Sequence, residues 1–313
     1  MKVKAIVVVA FTLLLCAIIL LLFVQHCLTK SRLKQMIKKV HDNREPDYGD
    51  DEVPLNSTGT EKKFLYLLQT EICIPGHLNT SKAIGNGYRC QCDVLVLSYK
   101  QKCQESTLDH VEYLFDPSST WNVGRNLLYA TAMNRSEKYL YYIFMDDDVN
   151  LKTESKYNVN PWRQLEFFLE EIEPAVGIVD INGRRRLKSV YRARKKMGCT
   201  LGESADYLPI AHFDSAFNAF HYKAVQHILP YTTKFDNISW WFSGWYATIK
   251  SEVIFAGQSV VFTKVIAMNK NHRPYPRKKM ESKDEWSAIL NEVTGDFSRK
   301  DRKSTRLNSS HPH

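Results

Sequence analysis

The chain has 313 residues, of which 44% are hydrophobic, 12% aromatic and 25% charged; this excludes a mostly disordered chain, a collagen and a small disulfide-stapled scaffold. The net charge of +9 is unevenly placed: seven Lys/Arg and no acid fall in 1–40, a further +2 falls in 301–313, and the body from 41 to 300 is formally neutral. A polyanion-binding protein carries its excess charge on its folded surface, so nucleic-acid binding is set aside.

Residues 1–4 read as a short tail. From Ala5 to Val24 the chain is uncharged and almost wholly apolar, and a helix of that length spans about 30 Å, enough to cross a bilayer. A cleaved signal peptide has a shorter apolar core and a small-residue cleavage site; this run ends in Phe23-Val24-Gln25-His26, so it reads as an uncleaved signal anchor. Lys2 and Lys4 precede it, while Lys30, Arg32, Lys34, Lys38 and Lys39 follow. That bias alone places the C-terminal side in the cytosol. Four N-glycosylation acceptors, at Asn56, Asn79, Asn134 and Asn237, point weakly to a lumenal body; the acidic site described below decides for the lumen. Residues 25–62 are polar and acidic over much of their length and read as a stem, and 63–300 read as the folded domain. At the far end, Asp301–His311 matches one reading frame of a sequencing-library adapter, so 301–313 is left out of the fold.

Cys16 lies in the apolar run and Cys27 at its edge; Cys73, Cys90, Cys92, Cys103 and Cys199 remain for the body. In an oxidising lumen the four clustered ones form two disulfides of open connectivity and leave Cys199 free. Zinc is the rival, but Cys90-x-Cys92 has a single spacer where zinc knuckles usually have two to four.

In the body, short apolar runs at Phe64–Gln69, Val94–Ser98 and Val111–Phe115 predict strands, the third stopped by Asp116-Pro117. A helix follows, with Asn122 as its cap and Leu127, Leu128, Ala130 and Met133 at helical spacing. Tyr139–Met145 is a buried central strand. Pro161 opens a second helix, with Leu165, Phe168, Leu169 and Ile172 on one face, and Pro174 ends it. Ala175–Ile181 is the next strand. Strands alternating with helices predict an α/β sheet with short crossovers. Phosphate-loop, zinc-protease and dinucleotide fingerprints are absent from the sequence.

Asp146-Asp147-Asp148 follows the central strand directly. Three carboxylates at the carboxyl end of a buried strand are costly without a balancing cation, and that edge is where open α/β sheets bind ligands. Alternate residues of an extended segment share a face, which turns Asp146 and Asp148 together and Asp147 away. Two such carboxylates suit a hard divalent cation, which stabilises a diphosphate leaving group. A calcium loop fails, because Leu151 and Tyr157 stand where it needs Gly and Glu.

The segments Asn122–Ala130 and Tyr142–Val149 resemble the nucleotide-sugar core of GT-A glycosyltransferases with their Asp-x-Asp motif. The anchor, stem and lumenal domain resemble Golgi enzymes of type II topology. The second half is more loosely similar to an uncharacterised, mainly plant, glycosyltransferase-like family. The resemblance implies a mixed, mainly parallel sheet flanked by helices, and Mn²⁺ (with Mg²⁺ as the alternative) held by Asp146 and Asp148. It implies a nucleotide-sugar site of Asp146, Asp147, Arg125 and Asn126, with Asp116 as a weaker member, and a late His, here His272, as a third metal ligand.

In the second half, Ala211–Val225 predicts a strand turning into a helix. Ser239–Tyr246 crowds aromatic residues beside Gly244, and Trp240, Trp241 and Trp245 suit the apolar face of an acceptor sugar. Related transferases often carry an acid in this segment; here Phe242–Ala247 has none, so Asp214 is the first choice for the base and Asp236 the second. Eight Lys/Arg in 184–196 form a solvated face or a loop over the diphosphate. The sequence thus predicts a metal-dependent glycosyltransferase in the Golgi or ER membrane. It acts on a glycan, glycoprotein or glycolipid acceptor; a non-catalytic relative of the same fold and a metal-dependent phosphoesterase are the alternatives.

Overall fold

Strands covered on both faces need unbroken apolar runs, whereas edge strands tolerate alternation. The computed structural model follows that rule across the residues it describes, 62–104, 108–153, 159–181, 206–269 and 287–295. Strands β1 (Phe64–Thr70), β2 (Cys92–Ser98), β4 (Tyr141–Asp146), β6 (Val176–Ile181) and β8 (Phe217–His221) are buried almost throughout. Strands β3 (Val111–Phe115) and β5 (Val149–Thr153) mix buried and exposed positions and lie at the two ends of a nine-stranded sheet ordered β3-β2-β1-β4-β8-β6-β9-β5. In it β9 is Ser259–Asn269, and β7 (Tyr207–Pro209) pairs with β9 off the main path. Strands β1, β2, β3, β4, β6 and β9 run one way, and β5, β7 and β8 run the other. The expected mixed, mainly parallel sheet is therefore present.

Successive residues of a strand face opposite sides, and each side is covered by helix. On one side Leu65, Leu67 and Phe144 join Leu128 and Ala132 of α2 (Trp121–Met133), Ala224, Val225 and Ile228 of α4 (Tyr222–Ile228), and Ala247 of α5 (Trp241–Ile254). On the other, Tyr66 of β1 meets Trp162 edge-on and donates its hydroxyl to Glu166 at 2.8 Å, both on α3 (Pro161–Ile172). Phe168 stacks on Tyr207 and Phe262. The result is three layers, helix on both faces of a sheet. Helix α6 (287–295) buries Ile289 and Val293 against Phe242 and Tyr246 of α5.

Cys73 pairs with Cys103, joining the loops after β1 and β2; Cys90, at the end of the short helix α1 (Gly87–Cys90), pairs with Cys92. The two disulfides are present and no zinc reading is needed for these thiols. The loop between β1 and β2 is tied down on α3. Arg163 donates to the carbonyls of Ala83 (2.9 Å) and Arg89, and Asn160 donates to that of Lys82 at 2.7 Å.

Two expectations are corrected. The helix after β3 is capped by Thr120, whose hydroxyl accepts from Val123 N–H, and not by Asn122, which is buried in its first turn. Asp147 and Asp148 form the turn between β4 and β5, so strand alternation does not extend across them. The described residues all fall in the unit Asn56–His313, and among them no helix is long and apolar enough to cross a membrane. The apolar run 5–24, most of the stem, Asn56, the basic stretch 184–196, Cys199, His272 and the tail 301–313 lie outside the described residues.

Candidate functional site

From β1 the chain builds β2 and β3 to one side, and helix α2 then carries it back to β4 on the other side of β1. That reversal is a topological switch point at the carboxyl ends of β1 and β4, where such sheets usually bind ligands. Gln69 and Asp146 are register partners there. Strand β8 runs antiparallel to β4, so its approach, Asp214–Ala216, reaches the same edge. Asp146 N–H donates to the Ala216 carbonyl at 2.9 Å, and Ala216 N–H donates to Asp214 Oδ1 at 3.1 Å. Asn218 Nδ2 donates to the Asp214 carbonyl at 2.8 Å. Gln69 donates to the Thr120 carbonyl at 3.0 Å and sets the start of α2 against β1. Gly124 makes this possible: a Cβ there would lie 2.3 Å from the Gln69 amide nitrogen.

Asp146 Oδ1 accepts from Arg125 Nη2 at 2.6 Å and from Trp121 Nε1 at 3.2 Å. The Arg125 side chain is 2% exposed. Its guanidinium carbon lies 4.1 Å from the Trp121 ring centroid, 5.8 Å from that of Phe144 and 5.9 Å from that of Tyr231. An aromatic box of this kind stabilises a desolvated cation by about 2 kcal/mol, but a buried guanidinium still requires an anion, and Asp146 supplies it. Burial raises the Asp146 pKa against the pull of Arg125 and Trp121, and the neighbouring Asp214 charge raises it further. Burial likewise raises Tyr231, partly offset by Arg125. Arg125, expected either to touch a nucleotide or to place the helix, faces inward and holds Asp146. Asn126 exchanges two hydrogen bonds of 2.8 Å with the backbone of Tyr231, fixing the loop that leads to the aromatic segment.

Both carboxylate oxygens of Asp236 are engaged: Oδ2 accepts from the Thr120 hydroxyl at 3.0 Å and Oδ1 from Asn122 Nδ2. Asp116 turns onto Ser118 N–H at 2.9 Å and the Ser118 hydroxyl at 2.7 Å. It follows β3, three strands from β4 and so about 14 Å away across the sheet. Of the aromatic set, the Trp245 ring lies 4.0 Å from that of His212, two residues before Asp214, and 5.2 Å from that of Trp241. Gly244 abuts Ser215, next to Asp214; a Cβ at Gly244 would lie 2.4 Å from Ser215 Oγ. Trp240 caps α5 with its backbone. The acceptor sites Asn79, Asn134 and Asn237 are exposed.

Trp121, Tyr231, Gln69 and Thr120 were not singled out by the sequence. Their partners are distant in the chain, and the one local signal was the aromatic residue opening α2.

Among the described residues no group of three or more His, Cys, Asp and Glu converges where a metal ion could sit. Carboxylate oxygen is nonetheless the donor type a hard cation takes: both hydrogen bonds to the Asp146 carboxylate fall on Oδ1, and Asp214 is near enough for its charge to raise the Asp146 pKa. No protein-family model matches the chain, and no curated protein matches it either.

Proposed function

We propose that the chain is a metal-dependent GT-A-type glycosyltransferase. It is anchored in the Golgi or ER membrane by residues 5–24, with its body in the lumen, and it moves a sugar from a nucleotide-sugar donor to an acceptor hydroxyl. The observation that carries the reading is Asp146. It ends a buried strand at the switch point between β1 and β4, faces a caged arginine, and is followed at once by two further carboxylates.

In this reading Asp146 and Asp148 would hold Mn²⁺ or Mg²⁺, whose chemistry when bound would be to neutralise the charge of a diphosphate leaving group. Arg125 and Trp121 fix the Asp146 carboxylate, so its free oxygen meets the ligand without reorganising. Asp214 serves as base: the acceptor oxygen bonds to the anomeric carbon, the bond from that carbon to the diphosphate breaks, and the acceptor proton passes to Asp214. The His212 and Trp245 rings, 4.0 Å apart and inclined at 37°, offer an apolar surface to the acceptor sugar.

The test is a screen of nucleotide sugars with and without MnCl₂, reading both thermal shift and transfer. Asp148→Ala is expected to lose metal-dependent binding and on the order of 10²–10⁴ in rate. A wild-type chain that binds but transfers no donor would make it a non-catalytic relative, a reading favoured by the absence of acid from Trp241 to Ser251 of α5.

A further inference from the structure

Asp236 sits on the loop between α4 and α5, yet its carboxylate reaches the amino end of α2. It takes the hydroxyl of the helix cap Thr120 on one oxygen and the amide of buried Asn122 on the other. Between those two residues stands Trp121, which bonds Asp146, and one turn on stands Arg125, which does the same. Asn126 grips the same loop at Tyr231, and the Tyr231 ring closes the box around the Arg125 guanidinium. The loop and helix are thus joined at both ends of the segment that presents Trp121 and Arg125.

We propose that Asp236 is a positioning residue for the acidic site: by clamping Thr120 and Asn122 it sets the first turn of α2, and through Trp121 and Arg125 it sets the orientation of Asp146. This deepens the glycosyltransferase reading and rests on it for its function, but the clamp itself is a statement about geometry. It also weighs against Asp236 as a base. A base must offer a carboxylate oxygen to the acceptor proton, and both oxygens of Asp236 already hold protein donors. A positioning role asks only for a group of that shape with one acceptor and a polar partner for a hydroxyl, which asparagine also provides.

The test reads the indole N–H of Trp121 in the full chain, labelled with ¹⁵N-tryptophan. The chain has six tryptophans, and Trp121→Phe assigns the signal. In the wild type the proton of an indole bonded to a carboxylate lies downfield. Asp236→Ala is expected to move it upfield to the position of a solvent-bonded indole, and Asp236→Asn is expected to leave it in place. A folded Asp236→Ala protein with an unmoved Trp121 signal overturns the proposal, even where its melting temperature falls, because that is ordinary helix capping. An equal upfield shift in Asp236→Asn also overturns it, since it assigns the effect to charge alone. Where Asp236→Ala does not fold, Thr120→Val removes one of the two bonds and is read by the same outcomes. The measurement needs no donor: a wild-type chain that turns over no nucleotide sugar defeats the proposed function and leaves the clamp to be judged by the indole signal.

Discussion

The pairing of Asp146 with Arg125 has a cost structure that separates it from the neighbouring aspartates. Removing one member of a buried pair strands the other charge, typically at 3–5 kcal/mol, whereas replacing both is often neutral. The Asp146 side chain is 30% exposed and that of Arg125 only 2%, so the penalty falls on the arginine. Asp146→Asn is expected to lower unfolding stability by about 3 kcal/mol, near the low end of that range because solvent reaches the carboxylate. Arg125→Met combined with Asp146→Asn should recover much of the loss, a non-additivity expected of residues in contact. Asp148→Ala, in the turn, should stay within about 0.5 kcal/mol of wild type. Urea unfolding of wild type, these three variants and the single Arg125→Met checks all of this; additive losses of the two singles in the double variant would show that the pair is not coupled. The carboxylates were legible in the sequence because three acids after an apolar strand are conspicuous. Their neighbours were not: Trp121 lies 25 residues from Asp146, Asn126 lies 105 from Tyr231 and Asn122 lies 114 from Asp236. No local spacing carries such pairs.

Helix α3 is held to the sheet by a different kind of contact. Glu166 is buried, accepts from Tyr66 and pairs with Arg163 at 2.7 Å. Burial pushes its carboxyl up from an ordinary 4.5 to about 8, against the pull of Arg163 and Tyr66. The folded chain then holds a proton that the unfolded chain releases, so this group's contribution is full below the ordinary value and is lost as pH rises toward the folded one. Wild type is therefore expected to lose stability between about pH 5 and pH 8 relative to Glu166→Gln, read as the difference in urea midpoint across that window; parallel profiles would show that Glu166 is ionised in the fold throughout. Arg163 also anchors the loop after β1, and Arg163→Met should speed amide exchange in residues 76–90 while leaving β1 and β4 protected. Gly85 belongs to the same tight loop. A Cβ there would lie 2.5 Å from the Asn79 carbonyl carbon and 2.6 Å from Thr80 N, so Gly85→Ala must displace backbone. At this scale the strands β1, β2, β4 and β6 and the helices α2 and α3 were readable, because coverage on two faces leaves unbroken apolar runs and a helix leaves its period; the longest described helix, α5, was not, since its buried positions Phe242, Ser243, Gly244, Tyr246, Ala247 and Thr248 leave no polar stripe to mark a period. Strand β5 was not: Val149-Asn-Leu-Lys-Thr153 is short, polar at alternate positions and runs directly out of the acidic turn.

For the whole molecule, the proposed lumenal placement implies chemistry that only an oxidising, glycosylating compartment supplies. The two disulfides and the sequons test it independently, since thiol oxidation and glycan transfer are carried out by different machinery. Asn79, Asn134 and Asn237 are all exposed and occupy separate places: the loop after β1, the C-cap of α2 and the loop before α5. At the last of these, Asp236 turns inward onto Thr120 and Asn122 while Asn237 points to solvent, so a glycan at Asn237 need not disturb the clamp. Expression in a secretory host should give a mass shift on glycosidase treatment that shrinks stepwise through Asn79→Gln, Asn134→Gln and Asn237→Gln, with Cys73–Cys103 and Cys90–Cys92 resistant to alkylation before reduction. A single glycosylated site is enough to put the body in the lumen. If no site carries a glycan and all four cysteines alkylate without reductant, the body is cytosolic. That result would agree with the positive charges that follow the apolar run, and it would remove the Golgi proposal while leaving the Asp146 site to be explained by another phosphate chemistry.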